Sequence, residues 1–131
     1  LRVAREGTDV TLIAWSVSVS LAEEAADVLA ERGISAHVVD LRTLVPLDID
    51  GLVEAAEKTG RVVVVQEAPE SASFGAEVVA LIQEMAFYSL EAPIARVSAP
   101  DVPYPLHALE EHYIPSVDQV VSTVERMLNG T

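Results

Sequence analysis

The sequence predicts a three-layer α/β/α domain built on a mixed, mostly parallel five-stranded sheet, and three observations carry that prediction. The run Arg61-Val62-Val63-Val64-Val65-Gln66-Glu67-Ala68-Pro69 sets four valines in a row. Strand side chains alternate, so both faces of such a strand are apolar, and a strand buried on both faces belongs to a sheet covered by helices on each side. Strand-like and helix-like segments also alternate along the whole chain, the order expected of helices packed over a sheet. Finally, the composition turns polar where the valines end, and Pro69 has no N–H with which to extend a ladder. In open α/β sheets ligands and partners gather beyond the carboxyl ends of the strands. Residues 66–75 are therefore the first stretch to search for function.

The elements follow in order. Leu1-Arg2-Val3-Ala4-Arg5 alternates like a strand and is not preceded by an initiator methionine. An amino terminus seldom begins inside an element, so residues 1–131 read as a single domain, a fragment of a longer polypeptide. Val10 to Trp15 is a buried strand after the turn at 6–9. Ser20 and Glu23 fit a capping box for the next helix, with Ser16 and Ser18 as earlier possible starts; Leu21, Ala25, Val28 and Leu29 share its inner face and Gly33 stops it. Ser35 to Leu41 is the following strand. Asp48 caps a short helix with Ile49, Leu52, Val53 and Ala56 inward, ended by Gly60.

After the valine strand, Phe74, Val78, Leu81, Ile82, Met85 and Ala86 recur at helical spacing. Gly75 and Ala76 at its start permit close approach of the backbone to a strand or partner. Pro93 to Val97 is a short strand at an edge, because proline cannot donate to a ladder. Four prolines between Ala99 and Pro115 mark an ordered surface loop or short turns. Ser116 with Gln119 makes a capping box for the last helix, whose inner side is Val117, Val120, Val121, Val124 and Leu128.

Composition narrows the function. The chain has no cysteine, which removes disulfides and thiolate chemistry and is compatible with a cytoplasmic protein. Eight basic against 21 acidic residues give a net charge of −13. Nucleic acid and anionic membranes are poor partners for such a chain; a basic protein is its electrostatic complement. No glycine-rich phosphate loop and no Gly-x-Ser-x-Gly occur. His37 lies inside a strand and reads as structural, while His107 and His112 read as solvated loop residues without helical spacing for a metal. No residue of this chain is assigned a catalytic, cofactor-binding or metal-binding role. Asp40 and Arg42 point to one side and form a bracing ion pair at a strand end. Glu67 calls for backbone amides, those at the start of the Phe74 helix being in reach, and also reads as loop bracing. Phe74, Tyr104 and Tyr113 divide between core residues and interface anchors.

The motifs Asp9-Val10-Thr11-Leu12-Ile13-Ala14-Trp15, Asp40-Leu41-Arg42-Thr43-Leu44-Val45-Pro46-Leu47-Asp48, Lys58-Thr59-Gly60-Arg61, Glu67-Ala68-Pro69, Phe74-Gly75-Ala76-Glu77 and Leu90-Glu91-Ala92-Pro93 occur in that order. With Pro100-Asp101-Val102-Pro103-Tyr104-Pro105 and Tyr113-Ile114-Pro115, the chain resembles the transketolase-like C-terminal domain of the β subunit of a 2-oxo acid dehydrogenase. Among these it most resembles the branched-chain type, with the pyruvate and acetoin types as near relatives. The resemblance implies a five-stranded sheet whose opening strand, about Leu1–Arg5, runs antiparallel to the rest. It implies a parent α2β2 oxidoreductase that uses thiamine diphosphate and magnesium, both held outside this chain. The parent decarboxylates a 2-oxo acid in branched-chain amino acid catabolism and passes the acyl group to a lipoyl group.

For this domain the resemblance implies association with the α subunit and a second β subunit, and docking of the basic subunit-binding domain of the acyltransferase. Glu91 is the expected docking carboxylate, solvated until a lysine or arginine arrives; Phe74, Gly75, Tyr104 and Tyr113 are the other expected interface residues. The isolated domain is expected to be inactive and to self-associate. Two departures stand out: Gln66 replaces the histidine usual before Glu-Ala-Pro, and Ser71-Ala72-Ser73 replaces Thr-Gly-Gly. A neighbouring transketolase-like enzyme and a free-standing flavodoxin-like ligand-binding module are the alternatives.

Overall fold

The computed structural model describes residues 1–130. Five strands, β1 (Arg2–Arg5), β2 (Val10–Ala14), β3 (Ala36–Asp40), β4 (Val62–Pro69) and β5 (Ala95–Ala99), form one sheet in the order β1-β3-β2-β4-β5. β1 lies antiparallel to β3, with Arg2 opposite Asp40, and the other three pairings are parallel. The fold expected from the sequence is thus the one observed.

The valine run shows how the layers form. Val63 and Val65 face one side with Leu12, Val38 and the helices α1 (Ser18–Glu31) and α5 (Val117–Leu128). Val62 and Val64 face the other, with Ile13, Leu41 and the helices α2 (Ile49–Thr59) and α3 (Phe74–Ala86). All four valines are wholly buried. At about 1.5–3 kcal/mol for each fully buried side chain of this size, the one strand contributes a large share of the apolar driving force. A fourth, single-turn helix, α4 (Glu110–Tyr113), lies in the proline-rich loop before α5.

Several local expectations shift. α1 begins at Ser18, not at a Ser20–Glu23 box, and its N-cap, Val17, supplies no side-chain hydrogen bond. The inward faces of α2 and α3 are narrower than their apolar spacing suggests: Ile49 is 37% and Met85 53% exposed, because the sheet beneath each helix contacts only about a third of its circumference. β5 starts two residues late, at Ala95. The caps at Asp48 and Ser116 form as expected, the second with both bonds of the capping box, and Gly60 closes α2 with φ 66°.

Candidate functional site

The polar groups at the carboxyl end of β4 converge on Gln66. Its side chain is wholly buried. Oε1 accepts the backbone N–H of Gly75 at 3.0 Å, while Nε2 donates to Ser73 Oγ at 2.6 Å and to Ser98 Oγ at 3.0 Å, with the Pro69 carbonyl at 3.4 Å. One amide therefore ties together β4, β5 and the first turn of α3. The Gly75 N–H fixes which end of the amide is the oxygen, since only an acceptor can sit there. Gly75 is required by the same contact: a Cβ at that position would lie 2.6 Å from Gln66 Oε1.

The amide at the α3 start thus belongs to Gln66, which corrects the sequence-based expectation that Glu67 would take it. Successive strand residues point to opposite faces, so only one of the two can reach α3. Glu67 is half-buried and faces a separate hollow of about 240 Å³ at the start of α1, with Ser18, Glu24 and Ile114 among its walls. The signal that could have identified Gln66 was present: an amide inside a strand with no solvent face must find partners.

The loop between β4 and α3 is held at its tip as well. Asp101 accepts both the backbone N–H of Ser71, at 2.9 Å, and the Ser71 hydroxyl. Those bonds, the hydroxyl first, hold the Asp101 carboxyl below its usual pKa. Ala72 adopts φ 52°, a left-handed conformation that glycine takes without strain.

Asp40 and Arg42 do meet, but mostly through the backbone. Asp40 Oδ1 accepts the Arg42 N–H at 3.0 Å, whereas the guanidinium stands 4.0 Å from Oδ2, and Arg2 of β1 approaches the same oxygen at 3.5 Å. The aromatic residues divide. Phe74 packs edge-on against Trp15, with ring centroids 5.8 Å apart, on the margin of the core. Tyr113 is 6% exposed and Tyr104 63%, and their rings meet edge-to-face at 5.0 Å. Tyr104 donates its hydroxyl to Glu110, whose other oxygen faces His107 Nδ1 at 3.0 Å. Its bond to Glu110 pushes the Tyr104 phenol up to about 12, and the same bond lowers the Glu110 carboxyl.

Glu91 stands apart from all of these, at the amino end of β4. Its backbone N–H donates to the Gly60 carbonyl at 2.7 Å, and its carboxylate meets Arg61 at 2.6 Å. The expectation of a carboxylate left to solvent is corrected in that respect: Glu91 already has a cation beside it. Packing explains why. A Cβ at Gly60 would lie 2.8 Å from the Ser89 carbonyl and 2.9 Å from Glu91 Cγ, so the two segments cross in contact. His37 is 2% exposed, as a structural histidine should be, with Nδ1 unbonded and Glu6 3.4 Å away. Among the described residues no group of three or more histidine, aspartate or glutamate side chains is placed to hold a metal ion.

The transketolase, C-terminal domain family matches residues 1–120. The chain is 48% identical over 127 residues to the pyruvate dehydrogenase E1 component subunit beta of Leifsonia xyli subsp. xyli, covering 97% of this chain and 38% of that protein. It is also 48% identical over 126 residues to the same subunit of Bacillus subtilis, covering 96% of this chain and 39% of that one. Among solved structures, a split-gene transketolase described as an inactive β4 tetramer matches with a TM-score of 0.84 and 36% identity, over 98% of this chain and 41% of its own. A 2-oxoglutarate:ferredoxin oxidoreductase from Magnetococcus marinus, at 12% identity and TM-score 0.65, shares the fold. The chain spans well under half the length of these relatives.

Proposed function

The chain belongs to the transketolase C-terminal domain family, and we propose that it serves as the association and docking domain of the β subunit of a thiamine diphosphate-dependent 2-oxo acid dehydrogenase. The observation that carries this reading is the match of nearly the whole chain, at 48% identity, to part of pyruvate dehydrogenase E1 β subunits. Those relatives favour pyruvate as the parent's 2-oxo acid over the branched-chain substrates that the motifs suggested. The parent is an oxidoreductase in which this domain joins an α subunit and a second β subunit, in the cytoplasm of a bacterium. Among the described residues no helix is long and apolar enough to cross a membrane.

Thiamine diphosphate and magnesium do not fit the residues of this chain: it has no glycine-rich phosphate loop and no described cluster of metal-ligating side chains. They belong to the rest of the parent enzyme, and no catalytic step is assigned here. What the domain supplies is surface. Phe87 and Tyr88, 53% and 99% exposed, flank a hollow that ends at Glu91 and Pro93. Exposed aromatic residues of this kind are common anchors of an interface. Docking of a basic acyltransferase domain at Glu91 has to exchange Arg61 for the partner's own cation.

The test is to co-express the parent β subunit, with and without residues 1–131, alongside its α subunit. Assembly to a heterotetramer that decarboxylates pyruvate is expected only when the domain is present. Full assembly and turnover without it would overturn the reading. The β4 tetramer formed by the split-gene transketolase supports self-association of the isolated chain, which sedimentation measures directly.

A further inference from the structure

Independently of that assembly, we propose that the hollow between β5 and α5 binds an oxyanion, the phosphate of a small metabolite or inorganic phosphate itself. The hollow holds about 310 Å³, at the lower end of the roughly 300–1,000 Å³ of small-molecule sites. Arg96 and Ser98 line it from β5, Glu70 from the loop after β4, and Gln119, Thr123 and Arg126 from α5.

Its walls are made of donors. Ser98 Oγ already accepts from Gln66, Thr123 Oγ1 accepts from Arg126 at 3.2 Å, and the Gln119 side-chain oxygen accepts the Ser116 N–H at 2.8 Å. With each oxygen engaged, what these side chains have left to offer is a proton, from two hydroxyls and one amide. Two guanidiniums stand beside them. Each carries five N–H donors, so a bond to a neighbour does not exclude one to an occupant.

Arg96 is held in place by the main chain. Its Nη1 donates to the Glu70 carbonyl at 2.7 Å, while the Glu70 carboxylate stands farther off, at 3.3 Å, and is 62% exposed. That carboxylate can swing into solvent while the guanidinium stays. An anion taking its place would make charge-assisted bonds to a side chain only 28% exposed.

Charge separates this hollow from the rest of the surface. Elsewhere single cations meet carboxylates: Arg5 meets Asp27, Arg32 meets Glu125, Lys58 meets Glu6 and Arg61 meets Glu91. Here two guanidiniums line one hollow with a single carboxylate. Asp101, an acid near enough to act on Arg96, turns its oxygens to Ser71. A local positive site attracts anions at short range, although the net charge of −13 keeps the affinity modest. Donors from three segments suit the tetrahedral oxygens of a phosphate better than the two oxygens of a carboxylate. Through Ser98 the occupant would also touch the Gln66 network, whose other end holds the Gly75 N–H.

Amide NMR of the 131-residue chain, titrated with inorganic phosphate at constant ionic strength, tests this. Shifts at residues 70, 96–98 and 119–126 are expected, saturating at about 1–10 mM phosphate. Arg126→Gln should weaken binding about tenfold, and Arg96→Gln at least as much. Glu70→Gln removes the competing carboxylate and should tighten binding about threefold. Arg126 and Glu70 are exposed, so neither of those variants disturbs the core. Arg5→Gln takes away a positive charge at the opposite edge of the sheet and should leave binding unchanged. Glycerol 3-phosphate separates the two sources: tighter binding than phosphate points to a metabolite, equal or weaker binding to the free ion. No shifts at about 50 mM phosphate would overturn the proposal. So would acetate binding as tightly as phosphate, weaker binding in Glu70→Gln, or an equal loss in Arg5→Gln.

Discussion

At the carboxyl end of β4 a neutral amide, Gln66, holds three segments together with no exposure to solvent. At the amino end of the same strand a cation and an anion, Arg61 and Glu91, meet at 2.6 Å with 33% and 57% of their side chains exposed. The second contact is as short as the shortest bond of the first and carries full charges, yet the first matters more to folding. An exposed ion pair exchanges one well-solvated state for another and is screened by salt. Breaking a buried amide network strands donors and acceptors where water cannot reach them. Contact length is therefore a poor guide to stability, and burial a better one.

That comparison can be broken at its strongest point. Gln66→Leu keeps the volume and removes every bond, leaving the Gly75 N–H without its acceptor; a loss of about 2–4 kcal/mol is expected in urea unfolding. A loss below about 1 kcal/mol would mean that water or a shifted loop replaces the amide. Gly75→Ala is next. Its methyl group would stand 2.6 Å from Gln66 Oε1, and the strain and broken bond should cost about 1–3 kcal/mol, a loss that shortening the amide side chain to alanine in a double variant should partly relieve.

His37 sharpens the role of burial by pH. Burial lowers its pKa, assisted by the Lys58 ammonium and opposed by Glu6 and by a bond to the Arg5 backbone. The unfolded chain then takes up a proton near pH 6.5 that the folded chain refuses. Stability is full above that pH and falls as pH drops toward the folded value. Urea midpoints at pH 7.5 and 5.5 should show the fall, and His37→Gln should remove the part of it that His37 causes.

Smaller effects come from the loop and from the exposed pair. Ala72→Gly should stabilise by about 0.5–1 kcal/mol, since a left-handed alanine is strained and glycine is not, less the extra freedom that glycine gives the unfolded chain. Glu91→Gln should cost under about 1 kcal/mol, and the difference should vanish in 1 M salt. A larger, salt-resistant cost would place Glu91 in the same class as Gln66.

Local pattern by itself determined the five strands, the four long helices, the caps at Asp48, Gly60 and Ser116, and the sandwiching of the valine strand between two helical layers. These depend on side-chain periodicity and on bonds spanning three or four residues, which a linear text records. The antiparallel start was implied only by the family resemblance. Which of Gln66 and Glu67 would reach the α3 amides, and that Arg61 would sit on Glu91, only the tertiary structure decided. So too did the exposure of Met85 and Ile49, and the meeting of Glu24, Glu67 and Ser18 in one hollow. Each depends on how far one element slides and turns against another. Neighbours in space but distant in sequence set that, and no local periodicity encodes it.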